Sequence, residues 1–277
     1  PITVSSLAVG LLTAVIVSMV LFGGVKRIGS VTGRLVPAMA LIFVGCCLTV
    51  VIVNRQYVGE VFGMIFRGAF RPDAVLGGAF GIGILSTIQK GVGRGIFSNE
   101  AGLGSAPMAH AVTSEKDPVK QGLFGIFEVF MDTIVICTLT ALTLLCGYKS
   151  GVAVAWGQAA GAELIIASFA TVFGQRLGSL IVTVCITLFA LSTILSWALY
   201  GGRSFEFLFG HRFGAVYQIL YVAAVIVGAV MKLDIVWSIA DTFNGFMAVP
   251  NLIALLALSG VVVQLTRQAF GAKRPIR

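Results

Sequence analysis

The feature that most constrains this chain is a series of long apolar stretches that contain almost no charged residues. Residues 35–54, for example, include no Lys, Arg, Asp or Glu. A helix of about 20 apolar residues spans the hydrocarbon core of a bilayer, which is about 30 Å thick. Only 11% of the chain is charged, whereas a soluble domain carries about 25%. The sequence therefore predicts an all-α integral membrane protein and argues against a large soluble one.

The apolar stretches predict about seven transmembrane helices in one transmembrane domain that covers residues 1–277. Three further segments favour other structures: an interfacial helix, a re-entrant or surface helix, and a short aromatic turn. Because the chain begins at Pro1, we expect it to be a fragment that lacks the N-terminal helices of a longer protein. The predicted spans lie within residues 4–25, 35–54, 74–90, 121–147, 177–202, 213–231 and 236–266, and the three other segments are 57–70, 152–175 and 204–212.

The distribution of basic residues predicts the orientation in the membrane. With seven crossings, most of the 19 Lys and Arg residues fall on the side of the C-terminus. Since cytoplasmic loops carry an excess of Lys and Arg, we expect a multi-pass protein of the cell inner (plasma) membrane with a cytoplasmic C-terminus. The net charge of +8 then reflects topology, and no basic stripe in a soluble segment indicates nucleic-acid binding.

The third predicted span is rich in glycine, with Gly77, Gly78, Gly81 and Gly83 close together. Small residues at GxxxG spacing let membrane helices pack closely, which is one interpretation. The other is a broken helix, because unwound backbone at membrane depth occurs where it lines protein or a cavity. The density of glycines favours the break, and secondary transporters bind substrate at such breaks.

Acidic residues inside predicted spans are the strongest functional candidates, since a charge at the bilayer centre is costly. Asp132 lies near the middle of the fourth span, and Glu128 precedes it by one helical turn. We interpret Asp132 as an acid on a cation route or at a gate. The alternative is an acid that only pairs with a donor to hold helices together.

Two more spans carry polar residues. In the fifth, Ser192 and Thr193 precede Trp197, and hydroxyl oxygens suit a hard cation such as Na⁺. Hydroxyls that bond a carbonyl of their own helix are the alternative. In the last span, Asp241 lies about five residues inside the predicted outer end and Asn244 follows it. These two residues indicate either a gate-facing side or a structural cluster at a helix end.

The segment GVGRGIFSNEAGLGSAP at residues 91–107 interrupts the apolar pattern. Its glycines disfavour a regular helix, so we predict an inner connection that begins at Gly91 and follows the third span. Arg94 agrees with the positive-inside bias, and Asn99 and Glu100 could cap a short helix or pair with Arg94. We hypothesise that this segment closes a cytoplasmic gate; a structural turn is the alternative.

The same segment, extended to GVGRGIFSNEAGLGSAPMAHA, closely resembles the signature region of the alanine or glycine:cation symporter family, a group of sodium–amino acid cotransporters in the amino acid–polyamine–organocation superfamily. Residues 23–40, 130–142 and 241–255 also resemble it. The resemblance implies the C-terminal part of a LeuT-type fold with inverted repeats. The chain would supply core helices four to ten, and its third span would be the broken sixth helix.

The resemblance also implies a function: import of alanine or glycine with Na⁺ as the coupling ion, by alternating access, with no other cofactor and no enzymatic activity. H⁺ coupling in the same fold is an alternative, and a channel is a more distant one. A membrane enzyme using Asp132, Glu128 and His110 is disfavoured, because these three should not converge. The implied substrate-binding residues are Gly77, Gly78, Phe80, Gly81, Thr193 and Trp197, and the implied Na⁺ ligands are Ser192 and Thr193.

Overall fold

A computed structural model describes residues 4–70, 80–151 and 161–271, and these residues are helical apart from short turns and connections. Short 3₁₀ turns lie at Arg55–Tyr57 and His211–Phe213, and a π-helical turn lies at Met131–Ile136. The helices are α1 Val4–Leu21, α2 Gly24–Val53, α3 Val58–Phe70, α4 Phe80–Asn99, α5 Ala106–His110, α6 Pro118–Phe130, α7 Cys137–Lys149, α8 Ala162–Phe209, α9 Gly214–Val230 and α10 Leu233–Phe270.

Five helical segments of the described residues are long and apolar enough to cross a bilayer, so the prediction of an all-α integral membrane protein is confirmed. Large apolar side chains point outward along them; Phe207, for example, is 89% exposed. Residues 6–21 add a shorter apolar helix. The count of seven crossings and the LeuT-type arrangement stay predictions. The five segments are Gly24–Val53, Pro118–Lys149, Ala162–Phe209, His211–Val230 and Leu233–Phe270.

The predicted start of the connection after the third span, at Gly91, is wrong. The helix α4 continues through Gly91, Gly93 and Gly95 and ends at Asn99, so the connection begins about two turns later than expected. A glycine costs a helix about 1 kcal/mol relative to alanine, a small penalty that tertiary contacts offset. Polar contacts of Arg94 and Asn99, described below, hold these last turns in place.

The aromatic turn expected at 204–212 is also helical for most of its length. The helix α8 runs to Phe209 and ends at Gly210, whose positive φ of 87° suits glycine. The rings of Phe205 and Phe209 pack together at a tilted angle, with centroids 4.6 Å apart. Aromatic side chains four residues apart meet on one face of a helix and stabilise it, which explains why the helix continues.

The segment expected to form a re-entrant or surface helix at 152–175 is described from residue 161 onward. Its helical part begins at Ala162, and a kink at Gly174, with φ 77° and ψ 160°, separates it from the rest of α8. Phe169 in this part is fully buried. The first section of α8 therefore packs into a core, which argues against a surface helix. At 57–70 the predicted helix is present as α3, and its interfacial position stays a prediction.

The chain divides into two compact units: residues 1–84 with 135–231, called unit 1, and residues 85–134 with 232–277, called unit 2. Unit 1 contains two apolar cores. One is formed by α2, α7 and α8, and the other by α1, α2 and α8, with α9 packed against it. The first core comprises Phe43, Cys47, Val50, Leu139, Phe169, Val182 and Cys185, and the second comprises Val17, Val20, Leu21, Ile28, Leu195 and Ala198.

Unit 2 consists of most of α4, the helices α5 and α6 with the start of the π-helical turn, and α10. Among the residues of this unit that the structure describes, only Leu103 and Ser105 are buried, and both lie in the turn after α4. Side-chain hydrogen bonds and ion pairs link its helices instead. The polar residues singled out in 91–107, in the fourth span and in the last span all lie in this unit.

Candidate functional site

An ion pair joins α4 to α10 within unit 2. The guanidinium of Arg94 donates to both carboxylate oxygens of Asp241, at 3.1 and 3.4 Å. Its Cζ also lies 4.1 Å from the ring centroid of Trp237, one helical turn before Asp241. Phe97 packs edge-on against Trp237, with centroids 5.1 Å apart. A carboxylate and an aromatic face thus fix the plane of the guanidinium.

The depths assigned to these two residues from sequence therefore cannot both be right. Arg94 was expected on the inner side and Asp241 near the outer end of the last span. A contact of 3.1 Å places both side chains at one level. The reason is the continuation of α4 past Gly91, which makes Arg94 part of a helix rather than of an inner loop.

The ion pair lines a cavity of about 450 Å³ within unit 2. This volume lies within the range of about 300–1,000 Å³ that is usual for small-molecule sites. Charged and amide side chains occupy part of the wall, and small residues occupy another part. The lining residues are Gln89, Gly93, Arg94, Ile96, Leu103, Asp241, Asn244, Gly245 and Ala248. Three predicted gate residues, Arg94, Asp241 and Asn244, therefore share one cavity.

A second polar group, which we call the Asp132 cluster, comprises Ser98, Asn99, Asp132 and Thr133. Ser98 Oγ lies 2.8 and 3.0 Å from the two carboxylate oxygens of Asp132, to which it donates. Asn99 Nδ2 donates to Thr133 Oγ1 at 2.9 Å, and Thr133 Oγ1 lies 3.5 Å from Asp132 Oδ2. The end of α4 and the π-helical turn thus bring several oxygen atoms together.

The turn after α4 is built on unusual backbone conformations. Glu100 has φ 54°, a value uncommon for a residue with a side chain, and Gly102 and Gly104 also have positive φ. Ser105, fully buried, donates to Glu100 Oε2 at 2.5 Å. The carboxylate of Glu100 therefore pairs with Ser105, so the predicted pairing with Arg94 is wrong. At Gly104 an added Cβ would lie 3.1 Å from Asn251 Oδ1, which packs the turn closely against α10.

Glu128 and Asp132 are four residues apart but have different partners. Glu128 Oε2 lies 3.3 Å from His110 Nε2, and the other ring nitrogen of His110 lies 2.5 Å from Gln121 Nε2. Of the three residues that were not expected to converge, His110 and Glu128 do meet, because the chain between α5 and α6 turns back on itself. Asp132 bonds instead to Ser98, outside this group.

The remaining predicted site residues lie in unit 1 or outside the described residues. Ser192 is buried and donates to the carbonyl of Phe189 at 2.8 Å, whereas Thr193 is exposed. Trp197 packs edge-on against Tyr200, with centroids 5.8 Å apart. The hydroxyl of Ser192 therefore bonds to a carbonyl of its own helix, which was the alternative to Na⁺ binding in the sequence analysis. Gly77 and Gly78 lie outside the described residues, and Phe80 and Gly81 begin α4.

Sequence reasoning missed two partners at this site, Ser98 and Trp237. Each lies four residues from a predicted gate residue on the same helix: Ser98 follows Arg94, and Trp237 precedes Asp241. That spacing places each pair on one helical face and was a usable signal. For Ser98 this spacing could not be used, because residues 91–107 were predicted to form a connection rather than a helix.

Comparison with known proteins places this sequence in a family. The profile of the sodium:alanine symporter family matches residues 2–274. The chain is 43% identical over 265 residues to the sodium/alanine symporter AgcS of Methanococcus maripaludis, covering 95% of this chain and 57% of that protein. It is 36% identical over 278 residues to the probable sodium/glutamine symporter GlnT of Bacillus subtilis, covering 98% and 56%.

A third relative is the sodium/proton-dependent alanine carrier protein of Bacillus sp. strain PS3, which is 30% identical over 270 residues, covering 92% of this chain and 59% of the carrier. The chain thus spans a little over half the length of these curated relatives. The expectation that it is not an enzyme agrees with a family of transporters. A match across nearly its whole length establishes that the chain belongs to the sodium:alanine symporter family.

Proposed function

We propose that the whole protein containing this chain is a secondary active transporter that imports alanine or glycine together with Na⁺, by alternating access. The observation that carries the proposal is the ion pair between Arg94 and Asp241 at the wall of a cavity between apolar helices. Ionisable residues within membrane helices mark substrate and ion pathways. Membership of the sodium:alanine symporter family supports sodium and a small amino acid as the transported pair.

The ion pair has the properties of a gate. Alternating access requires contacts that form in one conformation and break in another. The side chains of Arg94 and Asp241 are 49% and 51% exposed, so separating them does not strand a fully buried charge. Asn244 lines the same cavity, and Asn99 and Glu100 shape the turn at the end of α4. We assign these residues and Glu128 to the gate.

The residues implied by the family resemblance remain our proposal for the substrate and the first Na⁺ site. Gly77, Gly78, Phe80 and Gly81 would contact the amino acid together with Thr193 and Trp197. Ser192 and Thr193 would bind Na⁺; the bond from Ser192 to Phe189 leaves the lone pairs of the Ser192 oxygen available. We further propose a plasma-membrane location with a cytoplasmic C-terminus.

Uptake by the full-length protein in proteoliposomes tests this function. We expect labelled alanine or glycine to accumulate against its gradient when Na⁺ is high outside, and this accumulation to disappear when choline replaces Na⁺. Accumulation driven by a proton gradient without Na⁺ would support the H⁺-coupled alternative, which the name of one relative makes worth testing. Downhill flux alone would indicate a channel. Unlabelled glutamine, added as a competitor, tests how narrow the substrate range is.

A further inference from the structure

We propose that the Asp132 cluster is a Na⁺ site, in addition to the site assigned to Ser192 and Thr193. Its ligands are the carboxylate of Asp132 and the hydroxyl oxygens of Ser98 and Thr133, and Asn99 positions Thr133. The inference rests on the proposed function and specifies where that function holds a coupling ion. It concerns residues of unit 2 alone.

The position of Asp132 in the membrane is the first argument. It lies near the middle of Pro118–Lys149, one of the segments long and apolar enough to span a bilayer. A carboxylate there is costly unless a cation compensates its charge. Asp241 pairs with Arg94, and Glu128 pairs with His110. Asp132, in contrast, forms no ion pair with the residues that the structure describes. A bound cation would supply the missing charge.

The chemistry of the cluster is the second argument. Its facing atoms are oxygens: two from the carboxylate, one from Ser98 within 3.0 Å of both, and one from Thr133 at 3.5 Å. Hard cations prefer carboxylate, hydroxyl and carbonyl oxygens. A hydroxyl that now donates to Asp132 can rotate and present a lone pair to an ion. With a single carboxylate, the cluster matches the charge of a monovalent ion.

The local backbone is the third argument. Ser98 and Asn99 are the last two residues of α4, where the carbonyls of the final turn have no partner within the helix. The helix dipole makes this end negative, which favours a cation. Asp132 and Thr133 lie in the π-helical turn Met131–Ile136, and such turns are frequent at functional sites. Two irregular backbone segments therefore converge on the same oxygens.

Asn99 has a positioning role. Its Nδ2 donates to Thr133, while its Oδ1 accepts from the backbone N–H of Ala101 at 2.9 Å. One amide thereby connects the Thr133 hydroxyl to the turn that follows α4. Ion binding at the cluster would thus be coupled to the conformation of that turn and, through Leu103, to the cavity wall.

The test uses the purified full-length protein and measures two quantities: the Na⁺ concentration that half-saturates alanine uptake, and the increase in melting temperature when NaCl replaces choline chloride. We expect Asp132→Asn to raise the half-saturating Na⁺ concentration at least about tenfold, since loss of even an outer supporting group often weakens metal binding by that factor. It should also reduce the stabilisation by Na⁺. Ser98→Ala should produce a smaller shift, and Ser98→Thr, which keeps the oxygen, should restore most of it.

Glu163→Gln is the matched control, because it makes the same carboxylate-to-amide change at an exposed position in the first turn of α8. Wild-type Na⁺ responses in Asp132→Asn would overturn the proposed site. The site would also be overturned if uptake by this variant no longer depended on protons but still depended on Na⁺ as in the wild type. If Asp132→Asn does not fold, the comparison of Ser98→Ala with Ser98→Thr decides, and equal responses from both overturn the site. If the wild type lacks Na⁺-dependent uptake, the proposed function fails; Na⁺ stabilisation that Asp132→Asn abolishes would still support the site.

Discussion

Different kinds of internal contact stabilise unit 1 and unit 2. In unit 1, buried apolar side chains from α1, α2, α7 and α8 form two cores, and the buried hydroxyls of Thr143, Ser168 and Ser192 donate to carbonyls of their own helices. In unit 2 the described side chains bury little, and contacts between helices are mainly ion pairs and hydrogen bonds between side chains.

This difference predicts which contacts form a rigid scaffold and which contacts can change partners. A packed apolar core has one low-energy arrangement and resists displacement. Half-exposed ion pairs and hydroxyl contacts contribute little stability and exchange partners readily, including with ions. We therefore expect substitutions in the apolar cores of unit 1 to act on the stability of the folded protein, and substitutions in the polar contacts of unit 2 to act on transport.

The largest expected effect is that of Phe169→Ala in unit 1. Phe169 is fully buried and stacks on Phe43, with centroids 6.3 Å apart. Its truncation leaves a cavity and should destabilise the protein by about 3–5 kcal/mol. Unfolding of the detergent-solubilised protein, followed by circular dichroism, measures this. Phe207→Ala is the control on the same helix, since Phe207 is 89% exposed and should change stability by less than about 0.5 kcal/mol. Equal effects would contradict the assignment of the core.

The next effect concerns the contact between α7 and α8. A Cβ added at Gly147 would lie 2.6 Å from Ser168 Cβ and 2.9 Å from its Cα, so Gly147→Ala forces the helices apart. We expect a loss of about 1–3 kcal/mol. At Gly45, on α2, an added Cβ has nothing within 4 Å, and Gly45→Ala should stabilise its helix by up to about 1 kcal/mol. Melting temperatures of the two variants should move in opposite directions; a shared direction would show that α7 and α8 are not closely packed.

A smaller effect on stability, combined with a large effect on transport, is expected for the ion pair of unit 2. Arg94→Ala and Asp241→Ala should each change stability by about 1 kcal/mol or less, because both side chains are half-exposed. Alanine uptake should fall strongly, since the gate contact is lost. The exchanged pair, Arg94→Asp with Asp241→Arg, should recover part of the rate. If the exchange restores nothing beyond the single variants, the pair is not a reversible contact.

The fold could be predicted from sequence where its signals are local. The segment containing Asp132 and the last apolar segment were located by hydropathy, because bilayer thickness determines the length of a span. The end of α4 was predicted too early, since glycine propensity is a weak signal that contacts of Arg94 with α10 override. Local preference alone could not show this, because the stabilising partner is distant in the sequence.

The candidate site was predictable in its residue types and not in its pairings. Asp132 and Asp241 were identified because charged residues in apolar spans are rare, and Arg94 was identified because it lies in the glycine-rich segment 91–107. Their partners depend on which helices pack together: Arg94 and Asp241 are 147 positions apart, and Ser98 and Asp132 are 34 apart. Glu100 was one of two candidate partners of Arg94, both closer in sequence than Asp241, and it bonds to Ser105 instead. Proximity in sequence was misleading because Glu100 lies beyond the end of the helix.

The smallest expected effect tests the comparison most directly, because it concerns an ion pair in unit 1. Lys149 at the end of α7 pairs with Glu60 of α3, and their side chains are 29% and 48% exposed, similar to the pair in unit 2. Glu60→Gln and Lys149→Met should each reduce stability by only about 0.2–1 kcal/mol, as is usual for exposed pairs. Unlike the variants of Arg94 and Asp241, they should leave the rate of alanine uptake per folded molecule unchanged. A strong loss of uptake without a loss of stability would mean that the ion pair of unit 1 also changes during transport, and the contrast between the packed cores of unit 1 and the exchangeable polar contacts of unit 2 would then no longer hold.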